Sequence, residues 1–341
     1  MPIMDVFDQD AFSYVSLCAA VDLVGYTPGF LTARPGLVTP APIRTPEVWI
    51  EQRSFMPQLI ITTSRGSPPV QVSGDRRNAR SFNTVRIALS SRINSSELLG
   101  IRDFASETAM KDLMGEVSRR QFKMKQDEAL TKENMVLGAV QGKVLDADNS
   151  VIENWYTNWG VAVPDTVNFA SAFSNSTDTG AIRALFNQVR RYTLRSLRGV
   201  GGTNVQVECI AGDGFWDAFV TSKEVRGNYQ AAQALQRIDT MGNAFESYRF
   251  ANVTVHNYRG TDDNEVQIGN LAAQFFPVGA GTIVRADAPG ESFEDLGTSG
   301  QQTYSRIITD EKRNSWADVE DYSYPLFINT MPQACVPATA G

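Results

Sequence analysis

The chain has 341 residues and a mass of 37.5 kDa, with 31 basic against 38 acidic side chains and a formal charge of −7. That length supports one large domain or two ordinary ones, and 42% hydrophobic with 20% charged residues excludes a chain that stays disordered. Three widely spaced cysteines, Cys18, Cys209 and Cys335, exclude a disulfide scaffold and point to a reducing compartment.

The first ten residues are acidic rather than basic, and the apolar run from Val15 to Val24 is broken by Asp22, so neither signal peptide nor membrane span is expected. Residues 1–42 carry four aspartates and no basic residue before Arg34, followed by Pro28, Pro35, Pro40 and Pro42. Proline removes backbone donors and favours extended chain, which predicts an arm lying on another surface and outside the core. Residues 43–93 alternate as two long strands: Val48 and Ile50 rise toward Leu59 and Ile61, Arg65 to Pro69 turn, and Val85, Ile87, Leu89 and Ile93 share one face on return. Arg80, Arg86 and Arg92 fall on the other face. With Arg44, Arg53, Arg65, Arg76 and Arg77 they give this segment a local charge of +5, leaving −12 on the rest of the chain. Strands of about ten residues reach roughly 33 Å, enough to leave their own domain.

A helix follows between Ser95 and Glu133, with Met110, Leu113, Met114, Val117 and Met124 as its apolar stripe. Glu107/Lys111, Glu116/Arg120 and Glu128/Lys132 are favourable i to i+4 pairs along it. A continuous helix from Ala105 to Lys132 would be about 42 Å long, a spine for whatever packs on it. Next comes a predicted hairpin, LGAVQGKVLD, the turn ADNS, then VIENWYTNW. Two motifs here fail as sites. Gly138 to Val144 lacks the spacing and the Ser or Thr of a phosphate loop, and Asp146-x-Asp148-x-Ser150 lacks the glycine and glutamate of a calcium loop.

Pro164 opens an α/β region. Asp178 or Thr179 is positioned to cap a helix through Leu197 whose apolar side holds Ile182, Leu185, Phe186 and Val189. The same helix bears Arg183, Arg190, Arg191, Arg195 and Arg198, which read as a solvated face, a subunit contact or a nucleic-acid stripe. The strand NVQVECIAG, helices from Phe215 and Gln230, and strands near Val253 to Tyr258 and Val266 to Ile268 follow. From Gln301 the tail returns to strand-like sequence. The glycines at 199–202 and 212–214 lack the third member of a dinucleotide fingerprint, and no G-x-S-x-G elbow presents a serine. His256 is the one histidine, too few for a multi-histidine zinc site, and it fits a structural strand position. No catalytic residue, cofactor or metal site is expected.

The succession of arm, basic hairpin, spine helix, Gly-rich hairpin, α/β domain and returning strands resembles the major capsid proteins of tailed bacteriophages. In particular it is similar to the phage lambda type capsid protein E family, with the α+β fold of the Hong Kong 97 type shell. The resemblance is carried by PGFLTARPGLVTP, VLGAVQGKVLDADNSVIENW, CIAGDGFWDAF, VHNYRG, the block from Phe276-Pro277-Val278-Gly279 through Ala288-Pro289, and the closing Tyr324 to Ile328 with Pro332. It implies an N-terminal arm over 1–42, an extended loop over 43–93, a peripheral domain over 94–165 and 301–341, and an axial domain over 166–300. The extended loop would lie over a neighbouring subunit.

The implied function is a self-assembling icosahedral shell around a double-stranded DNA genome, assembled in the bacterial cytoplasm and carried in the virion. The implied partners are further copies in hexamers and pentamers, a portal, a scaffolding protein, packaged DNA without sequence specificity and a decoration protein, and no membrane. Because the arm begins near Met1, scaffolding is expected to be a separate protein. Some shells of this fold are cross-linked when a loop lysine attacks a neighbour's asparagine, and this chain has no lysine before Lys111. Two other readings stay open at this point: an encapsulin-like compartment shell and an acid/base enzyme.

Overall fold

The computed structural model describes residues 29–53, 77–95, 109–234, 247–313 and 315–341, apart from positions 176, 178–179, 203, 259 and 262–265. The loop tip at 65–69 and the outer arm before residue 29 therefore lie outside the described residues. The inner arm does not lie outside the core. Leu31 and Leu37 are fully buried, and β1 (Val38–Pro42) pairs in parallel with β12 (Ile283–Asp287). An edge position is what lets Pro40 and Pro42 sit in a strand, because the missing N–H groups face away from the ladder.

Strands β2 (Glu47–Arg53) and β3 (Arg77–Asn83) form an antiparallel ribbon of their own, with Val48 opposite Phe82. The returning chain is not one long strand. It leaves the ladder at residues 84–86 and resumes as β4 (Ile87–Asn94), which pairs with β14 (Trp316–Ser323) instead. The interruption resets the alternation: Ile87, Leu89 and Ile93 point inward from β4, whereas on β3 Arg80 shares a side with buried Phe82.

The spine helix α1 runs from Ala109 to Val140, about 48 Å at 1.5 Å per residue. Val117 and Met124 of the expected stripe are buried, joined by Gln121 and Glu128. The side chains of Met110, Leu113 and Met114 lie outside the described residues. From Lys132 to Val140 every position is buried, so the sequence expected to open a hairpin is the helix's wholly enclosed end. The hairpin is shorter than expected, β5 (Lys143–Leu145) and β6 (Val151–Asn154). The residues WYTNW then form helix α2 (Trp155–Trp159), capped by Asn154 Oδ1, which accepts from the Tyr156 and Thr157 amides. Gly142 makes this junction possible. Its φ is +81°, and a Cβ there would stand 2.2 Å from the Tyr156 ring.

A six-stranded mixed sheet organises the α/β region in the order β7 (Val167–Asn168), β16 (Val336–Thr339), β11 (Ala272–Val278), β8 (Gln206–Ala211), β10 (Val253–Asn257), β9 (Ser247–Phe250). One face carries Val207, Cys209, Val255 and Phe275 into a cluster with Phe169, Phe186, Phe215 and Phe219. These rings come from the sheet, from α3 (Ala170–Phe173) and its flank, from α4 (Ala181–Ser196) and from α5 (Asp213–Thr221). Centroid separations of 5.4 Å for Phe186–Phe275 and 5.7 Å for Phe169–Phe215 are those of edge-to-face packing. The first turn of α4 is capped at long range: Glu224, on α6 (Lys223–Ala234), accepts from the Ile182 and Arg183 amides at 3.0 and 3.1 Å.

The other face of the sheet, with Ile210 and Phe276, belongs to a second core built on the end of α1. That core also takes Ile283 and Ala286 of β12 and Leu326 to Ile328 of β15 (Pro325–Asn329). β13 (Tyr304–Thr309), β14 and β4 complete the third sheet. Position 300/301 is thus no divide between sheets, since β12 joins the spine side and the last strand joins the α/β sheet.

Candidate assembly surface

The β2–β3 ribbon rests one face on α2. Phe82 meets Trp155 and Trp159 with ring centroids 5.2 and 5.7 Å away, and Val48 packs in the same core. The outward face carries Trp49, 68% exposed. A two-stranded ribbon is marginal in water by itself, so the packed face anchors it and the open face is left for another surface.

The loop arginines divide into two groups. Arg80 donates to the Asn158 carbonyl, Arg86 lies 3.0 Å from Glu291 and over the Tyr322 ring, and Arg92 makes a two-pronged pair with Asp318 at 2.8 Å while stacking on Trp316. Those three engage their own subunit, Arg80 through a backbone carbonyl and Arg86 and Arg92 through the carboxylates of Glu291 and Asp318. Arg44 is exposed and makes no ion pair among the described residues. Arg65 and Arg76, and the side chains of Arg53 and Arg77, lie outside the described residues.

Two buried carboxylates that sequence reasoning passed over hold the inner arm. Glu133 on α1 accepts from the Leu31 and Thr32 amides at 2.8 Å each, from the Thr32 hydroxyl at 2.6 Å and from the Tyr258 hydroxyl at 3.2 Å. The backbone reaches it because position 29 is glycine: φ is +144° and a Cβ would lie 2.5 Å from Glu133 Oε2. Glu208 on β8 receives Arg34 in a bidentate pair, and His256 Nε2 stands 3.3 Å from its Oε2. Burial raises the Glu208 carboxyl, but the adjacent His256 and the paired Arg34 outweigh it and hold the group below the usual range. A charge spaced by two from Ile210 in an otherwise apolar strand was the available signal, readable only once the arm is known to cover that face.

A third polar group lies under β13 and β14. Glu128 pairs with Lys132 and accepts from the Thr303 hydroxyl at 3.0 and 3.2 Å, Lys132 donates to the Gln302 carbonyl, and Arg285 sits 3.0 Å from Asp287. Asp321, beside them, accepts from Ser305 through Oδ1 while its buried Oδ2 has no hydrogen-bond partner among the described residues. Burial pushes Asp321 up to about 6, helped by the nearby Glu128 charge and opposed by Ser305 and Lys125. Among the described residues no group of three or more His, Cys, Asp or Glu could hold a metal ion, and no helix is long and apolar enough to cross a membrane.

The sequence matches the family of phage major capsid protein E over residues 13–340. The chain belongs to that family. The mature capsid of bacteriophage PhiM1 aligns with it at 10% identity and a TM-score of 0.53, over 92% of this chain and 87% of that one. The capsid of cyanophage P-SCSP1u aligns at 11% identity and 0.50, over 93% and 92%. The encapsulin SrpI of Synechococcus elongatus PCC 7942 gives 13% identity and 0.45, over 95% and 94%. No curated protein matches significantly. The fold is the Hong Kong 97 type, and the capsid E subunit is a structural shell protein of a phage.

Proposed function

We propose that this capsid E family member builds the icosahedral head of a tailed phage, as hexamers and pentamers around double-stranded DNA, with no catalysis of its own. The observation that carries this reading is the ribbon, a two-stranded element anchored on α2 by one face and carrying Trp49 on an open one. The loop over 43–93, the peripheral regions 94–165 and 301–341, and the axial region 166–300 then divide the labour. Strands β12 and β16 tie the last two together.

Scaffolding protein, portal and a decoration protein are the further partners, with assembly in the bacterial cytoplasm. Arg191, Arg195 and Arg198 stand exposed on and just after α4 with Tyr192 among them, a surface suited to DNA phosphates without sequence choice. Negative-stain microscopy of the purified protein tests the core of the reading. Polyhedral particles or curved sheets are expected, and a monodisperse monomer at every concentration would refute it.

A further inference from the structure

Between the start of α4 and the β9–β10 hairpin lies a cavity of about 420 Å³ whose described lining is Arg183, Asn187, Arg249, Ala251 and Asn252. That lining carries two guanidiniums and two carboxamides, and no carboxylate. Its walls are fixed by the fold. Arg183 Nη2 donates to Asn228 Oδ1 at 2.9 Å, and the guanidinium lies over the Phe250 ring, 5.6 Å from the centroid. Asn228 is oriented in turn by donating to the Glu224 carbonyl at 2.8 Å. On the hairpin side Phe250 pairs with Val253, so Ala251 and Asn252 alone make the turn, with φ of +48° and +62°. Two successive left-handed residues mark the tightest hairpin connection. Asparagine adopts that conformation readily, whereas the Cβ of alanine crowds a carbonyl there, and the buried Phe250 and Val253 on either side hold the turn in place.

The charge in this cavity is unbalanced. Neither Arg183 nor Arg249 has an ion-pair partner among the described residues. The acid close by, Glu224, is buried and uses its two carboxylate oxygens to accept from the Ile182 and Arg183 amides. The surrounding sequence is segregated in the same sense: from Gly180 to Val207 it holds five arginines and no acid, in a chain whose net charge is −7. Two cations held near each other with no counter-charge between them repel, and a bound anion removes that repulsion.

The donor set selects the kind of anion. A carboxylate has two oxygens in one plane and is satisfied by a single guanidinium fork. A phosphate group offers acceptor oxygens in several directions, so it can meet donors on two facing walls at once. We propose that this cavity is a binding site for a phosphate group, held between Arg183 and Arg249 with Asn187 and Asn252 donating amide N–H. The phosphate can be free or part of a polynucleotide backbone, since both present the same oxygens. Along α4 the site lies about 12 Å from Arg191, which separates it from the exposed arginines at the far end of that helix. It belongs to the single subunit and does not rest on the shell reading.

The test uses full-length protein, titrated with inorganic phosphate in a calorimeter at constant ionic strength. One saturable site per chain is expected. Arg249→Gln should weaken it about tenfold while the protein unfolds at the wild-type temperature, and Arg249→Lys should keep most of the affinity. Arg183→Gln combined with Arg249→Gln should abolish binding. A short single-stranded oligonucleotide then separates the two sources: an affinity tighter than that for phosphate, which also falls with Arg249→Gln, assigns a polynucleotide backbone, and any other oligonucleotide result assigns free phosphate. Absence of phosphate binding in the wild type, phosphate binding that Arg249→Gln leaves unchanged, or an acidic peptide that phosphate fails to displace from the site would overturn the proposal.

Discussion

Among the described residues Asp321 has only one hydrogen bond to support a charge, from Ser305 to Oδ1, and it is 2% exposed. Its folded value of about 6 against 3.8 means that the native state binds the proton more tightly than the unfolded chain does. The sign is therefore opposite to that of a salt-bridged acid: stability from this group is full below about pH 4, declines as pH rises, and is lost above about pH 6. Asp321→Asn keeps the shape, accepts from Ser305 and never ionises. It should stabilise the subunit by about 2–3 kcal/mol at pH 8 and change little at pH 4, as read from thermal unfolding at the two values. Equal effects at both would show that the site is not a buried acid. Glu133, also buried, accepts four hydrogen bonds where Asp321 accepts one among the described residues.

Among the elements, α1 shows what was legible and what was not. The stripe that includes Val117 and Met124 is readable because the exposed positions Arg119 and Lys123 fall on the other side of the helix. The segment Met135 to Val140 has no such contrast, being buried all round, and its β-branched content reads as strand until the core that surrounds it is known. WYTNW misleads for the same reason, its tryptophans being fixed by the ribbon and by an Asn154 cap rather than by a ladder. The return strand was legible as β in both halves, but its change of partner at 84–86 depends on β14, more than two hundred residues away. Met135→Ala should cost roughly 2–5 kcal/mol, and Lys123→Ala within about half of one. Chemical denaturation of the two variants checks the contrast, and a near-neutral Met135→Ala would mean that the helix end is not enclosed.

For the whole molecule, charge and covalent chemistry set how copies hold together. Arg86 and Arg92 are committed to Glu291 and Asp318, so reversing them to Glu should loosen the subunit itself. Reversing Arg44, Arg53, Arg65, Arg76 and Arg77 should instead reduce particle yield and alter its salt dependence while leaving the unfolding temperature near wild type. Yield that stays unchanged at low and high salt would remove these five from the interface. Covalent reinforcement is a separate matter, decided by which nucleophile the loop carries. An amide linkage to a neighbour's asparagine requires a deprotonated primary amine; guanidinium stays protonated and cannot attack. Every cation in residues 43–93 is arginine, and the first lysine of the chain, Lys111, lies beyond the loop. Mature particles are thus expected to rely on the buried arm, the ribbon and repeated non-covalent contacts. Boiled in detergent with reductant, they should run as a single band near 37.5 kDa. A ladder that survives reduction would contradict this, and mass spectrometry of the linked peptides would identify the amine responsible.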